Sequence, residues 1–99
     1  MMKDVVRIQE RTVTMGAAGE TVTWNPIGTR RHADVIPVSS AARVAYQQLN
    51  SVVTHKVRFH GKATIRIGDH RLKWGDKTMI PSLPVGTING NTVVLVRED

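Results

Sequence analysis

Residues 32–58 read HADVIPVSSAARVAYQQLNSVVTHKVR, and their order predicts a strand, a short helix and a second strand. The first strand runs over 28–36, GTRRHADVI. Alternation with period two puts Ala33 and Val35 on one face and His32, Asp34 and Ile36 on the other. Pro37 closes it, because proline lacks the backbone donor that a ladder needs. Ser39 or Ser40 can then cap a helix by accepting a free backbone N–H. Ala41, Val44, Ala45 and Leu49 recur at 3- and 4-residue spacings, which places them on one helical face, with Arg43 and Gln47 elsewhere. Asn50 is a suitable C-terminal stop. Residues 52–60, VVTHKVRFH, give the clearest strand, with Val53, His55, Val57 and Phe59 on one side and Thr54, Lys56, Arg58 and His60 on the other.

The rest of the chain reads outward from this unit. Residues 5–14, VVRIQERTVT, begin as a half-buried strand, with Val6 and Ile8 opposite Arg7, Gln9 and Arg11. Residues 15–20, MGAAGE, form a turn, and a second strand over 21–24 makes a hairpin that Asn25-Pro26 ends. After Gly61, Ala63, Ile65 and Ile67 alternate on a further strand. Gly68-Asp69 turns it, and residues 70–74 return with Leu72 and Trp74 inward and Arg71 and Lys73 outward. Residues 75–91 are rich in Gly, Pro, Asn and Ser and read as loops around Met79-Ile80 and Val85. The four consecutive apolar residues of the last strand, 92–96, predict a central position. The expected architecture is all-β: a small antiparallel β-barrel or sandwich of about six strands with one short helix. With no linker or repeat, it forms a single domain over residues 1–99.

Composition narrows the classes. The chain has no cysteine, so neither disulfides nor thiolate metal sites contribute. Its N-terminus has charges within the first residues and no apolar core of signal-peptide length. No apolar run approaches the ~18 residues of a membrane span, and no membrane association is expected. The formal charge is +6, which makes nucleic acid or an acidic protein surface the natural partner.

No catalytic constellation emerges. His55 and His60 lie on opposite faces of one strand, because five is an odd offset, and His32 and His70 lack metal-ligand spacing. His55, among Val53, Val57 and Phe59, reads as a hydrogen-bonded core or edge histidine. Acid–base chemistry needs two groups with pKa values pushed apart, and only Asp34 beside His32 could form a dyad, a pairing that is nearly always structural. No serine sits in a nucleophile elbow. No enzyme, metal or cofactor is expected.

The basic residues cluster. Arg7 and Arg11 share a face of the first strand, Lys56 and Arg58 one of the long strand, and Arg66, Arg71 and Lys73 one of the following hairpin. With Arg30 and Arg31 beside the Asn25-Pro26 loop, the set Arg30, Arg31, Lys56, Arg58, Arg66, Arg71 and Lys73 is expected to face DNA or an acidic partner. Trp74 and Phe59 point inward, so stacking platforms for bases are scarce and backbone attraction is the expected mode. On residues alone, a non-specific nucleic-acid-binding barrel of the OB or SH3-like type is the competing reading.

The order of motifs resembles the head–tail joining proteins of tailed bacteriophages. Arg7-Ile8-Gln9 opens the chain as such proteins open, followed by the glycine hairpin of Gly16 to Glu20 and by Trp24. Ala33, Val35 and Pro37 match the strand ending Ala-x-(Val/Ile)-x-Pro. Ser39 to Gln48 matches a serine-led helix with glutamines. Thr54-His55-Lys56-Val57-Arg58-Phe59 matches Thr-His-x-Val-x-(Ile/Phe), and a hairpin at Ile65 to Leu72 and an apolar last strand complete the order. Two departures stand out: the insert usual before Ile65 is shortened to His60-Gly61-Lys62, and residues 75–91 match no pattern. The resemblance implies a virion structural protein at the phage neck, assembled in the bacterial cytoplasm. It would be a monomer when isolated and a ring in the virion, helping to close the DNA channel. Its implied partners are portal or adaptor rings, a tail-completion protein and the packaged DNA. Segment 38–52 is the expected subunit interface, through Ser39, Arg43, Tyr46, Gln47, Gln48 and Asn50, with Tyr46, Gln47 and Gln48 read as exposed.

Overall fold

The computed structural model describes residues 4–83 and 86–99; the expectation for Val85 lies outside the described residues. The elements run β1 (Asp4–Gly16), β2 (Gly19–Pro26), β3 (Arg31–Pro37), α1 (Ser40–Gln48), β4 (His55–Phe59), β5 (His70–Trp74), β6 (Lys77–Pro81), β7 (Gly86–Ile88) and β8 (Asn91–Glu98). All pairings are antiparallel. β1 joins β3, and the ladder continues through β4, β8, β6 and β5 back to β1. Six strands therefore form a barrel-like ring, with β2 and β7 attached outside it. The all-β class and the single short helix agree with the sequence reading.

Alternation fills the ring. Val6, Ile8, Ala33, Val57, Phe59, Leu72, Met79, Val94 and Val96 are buried together, with Ile65 at the margin. Every second residue of β8 from Thr92 to Val96 is buried, and β8 pairs with β4, β6 and β7. Its central place follows the apolar run, although Val93 and Leu95 are only half-buried.

Three local expectations are corrected. Residues 63–67 form no strand. The ring closes through β1 and β5, so no ladder edge is left for them, and side chains satisfy their backbone instead. Thr92 Oγ1 accepts from the Ala63 N–H at 2.8 Å and donates to the Ala63 carbonyl at 3.3 Å. His70 Nδ1 accepts from the Arg66 N–H at 3.0 Å. Residues 75–91, read as loops, contain β6 and β7. Both arise from two-residue turns: Gly75-Asp76 between Trp74 and Lys77, and Asn89-Gly90 between Ile88 and Asn91. Asn89 and Gly90 both take positive φ, 51° and 78°, as a type I′ hairpin turn requires.

The third correction concerns the helix. Ser39 caps it, its Oγ accepting from the Ala42 N–H at 3.2 Å, and Asn50 follows at φ 59°. Yet α1 buries no residue. Val44 and Leu49 are 54% and 69% exposed, so the face of Ala41, Val44, Ala45 and Leu49 turns away from the core. Ala42 and Tyr46 are the half-buried residues, and Tyr46 is thus less accessible than its sequence context predicts. Amphipathic spacing says that a face is apolar, not what covers it.

β1 and β2 continue past the ring as a two-stranded ribbon. Residues 12–16 of β1 pair only with β2, and all residues from 11 to 23 are exposed. The ribbon stretches the molecule to 47 Å along its longest axis and raises the radius of gyration to 14.3 Å, against about 13 Å for a compact chain of this length.

Candidate functional site

The cations divide over two separate faces of the ring. Register puts Arg7 opposite Lys73 and Gln9 opposite Arg71 across β1 and β5. Arg7, Gln9 and Arg11 share one face by strand periodicity, so Arg7, Arg11, Arg71 and Lys73 gather on a single outward surface. Arg30, in the turn before β3, completes it. Val5, Arg7, Gln9, Arg30, Lys73 and Gly75 line one open cleft of about 530 Å³. On the other face, Arg58 opposes Asp34 and Lys56 opposes Ile36 across β3 and β4.

Several cations of the sequence-derived set are engaged within the chain. Arg58 Nη2 lies 2.6 Å from Asp34 Oδ2, which also gives Asp34 its partner in place of a dyad with His32. Arg66 Nη2 meets Glu10 Oε1 at 3.0 Å. Arg31 Nη2 donates to the Lys62 carbonyl at 2.7 Å and the His60 carbonyl at 3.3 Å, and its guanidinium lies 5.9 Å from the Phe59 ring centroid. Arg71 donates from Nε to Gln9 Oε1 at 2.7 Å and stacks 4.5 Å from the Trp24 ring centroid. Lys73 Nζ donates to Thr78 Oγ1 at 2.8 Å. Lys56 and Arg30 are exposed and, among the described residues, make no ion pair. Arg7 shares the cleft with Arg30 and Lys73. The i, i+4 spacing of Arg7 and Arg11, an even offset along a strand, carried that signal, but the β1–β5 closure that joins them to Lys73 is tertiary.

The second candidate surface is segment 38–52. Arg43, Gln47, Gln48 and Asn50 are exposed, Ser39 is occupied as the cap, and Tyr46 is half-buried. Val44, Leu49 and Val52 in the same segment are 54%, 69% and 56% exposed. Arg43 is its one charge.

His55 opens β4, three residues after this segment. Its Nδ1 and Thr54 Oγ1 are hydrogen-bonded at 2.8 Å, and its ring meets Trp74 edge-on at 6.2 Å between centroids, the structural histidine that the sequence predicts. Burial pushes its pKa below the ordinary 6.5, Lys77 and Arg43 push the same way, and Glu98 opposes them. No group of three or more His, Cys, Asp or Glu able to hold a metal ion occurs among the described residues, and no helix there is long and apolar enough to cross a membrane.

Comparison with known proteins supplies what the geometry does not. The solution structure of protein SF1141 from Shigella flexneri 2a is similar, with a TM-score of 0.77 and 19% identity over 98% of this chain and 92% of that one. At that identity the likeness concerns the fold alone. No curated protein sequence matches. The family model for the phage head completion protein matches residues 1–78, which takes in β1 to β6 up to Thr78 and both candidate surfaces. The match covers more than three quarters of the sequence, and the chain belongs to the phage head completion protein family.

Proposed function

We propose that this chain closes the filled phage head as one layer of a ring at the neck, joining head to tail, and that segment 38–52 makes the contact between neighbouring subunits or rings. Its role is structural rather than catalytic. The observation that carries the reading is the uncovered face of α1 and the turn after it. A chain of this size gains little by displaying Val44, Leu49 and Val52 to water, whereas a partner surface covering them would gain roughly 25 cal/mol for each Å² of apolar area buried. Head-to-tail repetition of such a contact builds a closed ring when the rotation closes. Arg43, Gln47, Gln48 and Asn50 form the polar rim expected around an apolar centre. Portal or adaptor rings on the head side and a tail-completion protein on the other are the partners, and the virion neck, assembled in the bacterial cytoplasm, is the site of action.

The test is mass photometry and negative-stain imaging of the purified chain, alone and with the portal or adaptor ring encoded beside it. Addition of a stoichiometric layer is the expected result. Leu49→Asp and Val44→Asp should abolish that layer while leaving the melting temperature of the free chain unchanged, because both side chains are exposed. A chain that ignores the ring, or aspartate variants that still assemble, would reject the assignment.

A further inference from the structure

We propose that the outward β1–β5 face, centred on the cleft between Arg7, Arg30 and Lys73, is a binding site for the backbone phosphates of duplex DNA. The proposal stands independently of the ring reading and concerns the isolated chain.

Three cations converge on this cleft and, among the described residues, no carboxylate lines it. Arg7 and Lys73 face each other across the ladder, an arrangement of like charges that destabilises a sheet unless an anion lies between them. The ion pairs of the described residues lie elsewhere, at Asp34–Arg58, Glu10–Arg66 and Glu98–Lys77. Lys73 Nζ is held on its β6 side by Thr78 Oγ1, and Gln9, which lines the cleft, accepts from Arg71 Nε beside it on β5. Arg11 extends the row along β1. Four residues at ~3.3 Å each separate Arg7 from Arg11, or ~13 Å of strand. Duplex DNA presents one negative charge per ~1.7 Å of axis, so a row of that length meets several phosphates.

Features of the face favour a nucleic-acid backbone over an acidic polypeptide. Four of the five cations are arginines, whose planar fork suits phosphate. Among the described residues, Val5, 38% exposed, is the one large apolar residue that lines the cleft. Trp24 is already stacked by Arg71, which leaves no free aromatic platform on this face for unpaired bases. The resulting contact is with phosphate, without base readout.

The experiment is fluorescence anisotropy of the full chain with a short labelled duplex of mixed sequence, titrated between ~50 and ~200 mM salt. Each lost phosphate contact removes about 0.9 from the slope of log K against log salt. The triple variant Arg7→Gln/Arg30→Gln/Lys73→Gln should therefore lose about 2–3 from that slope and at least about tenfold in affinity at low salt. A charge-matched control, Lys56→Gln/Lys62→Gln/Arg97→Gln, removes three exposed cations outside the cleft and should keep most of the slope. Arg30→Gln alone sits in a turn, so it leaves the strands intact and should lose about one contact's share if the triple variant fails to fold. Equal losses in both triple variants would overturn the site in favour of diffuse charge. Absence of duplex binding at low salt would also overturn it. So would binding of poly-glutamate that duplex DNA does not displace.

Discussion

Arg7 and Lys73 stand directly opposite each other where β1 and β5 close the ring, and among the described residues neither has a carboxylate partner. Like charges in that position weaken a sheet. Lys73→Glu should therefore raise stability by about 0.5 kcal/mol through a new cross-strand pair, although it removes the hydrogen bond to Thr78. A higher urea midpoint with an unchanged m-value is the expected result. A lower midpoint would mean that the two side chains do not face each other in solution.

Thr92 fastens the irregular segment after β4 to the ring. It is 3% exposed and bonds both the N–H and the carbonyl of Ala63. Thr92→Val keeps the shape and strands those two groups, at a cost of about 1–3 kcal/mol. Urea unfolding measures the loss, and amide exchange at Ala63 should accelerate more than exchange in β4.

Ser39 acts on one element alone. Removing an N-cap costs a helix about 1 kcal/mol. Because α1 buries nothing, Ser39→Ala should raise its local opening about fivefold and leave global unfolding where it was. Hydrogen exchange resolved by residue separates the two. A large drop in the global midpoint would show that α1 is packed more firmly than its exposure indicates.

His55 gives a pH dependence of definite sign. Its folded-state pKa is lowered, chiefly by burial, so in the window just below 6.5 the unfolded chain binds more protons than the folded one. Stability from this group is complete above the unfolded pKa and declines as pH falls through 6.5 toward the folded value, where it levels off. Melting temperatures measured across pH 5 to 8, a range set by the ordinary histidine pKa near ~6.5, should fall on the acid side. His55→Gln should remove that part of the slope.

The readable parts of this fold are those governed by neighbours in the chain. Ser39, Asn50, Pro37 and the alternation around Val57 and Phe59 marked their elements correctly because caps, breaks and strand faces are decided within a few residues. The Asn89-Gly90 hairpin was equally legible, since that dipeptide suits a type I′ turn, but the surrounding glycines and prolines read as loop. The strand expected at residues 63–67 failed for a nonlocal reason: its alternation is real, yet β1 and β6 already occupy both edges of β5, its expected hairpin partner.

By itself, then, the sequence determined an all-β chain with one serine-capped helix, a phage head completion pattern and an excess of positive charge. Tertiary structure alone decided which cations are neutralised and which remain available. Asp34 and Glu10 reach Arg58 and Arg66 across distances of 24 and 56 residues, and ring closure sets Arg7 beside Lys73. It also decided that the apolar face of α1 stays uncovered. Periodicity records which side chains share a face, but burial and ion pairing depend on what the fold brings against that face, and those contacts come from distant parts of the chain.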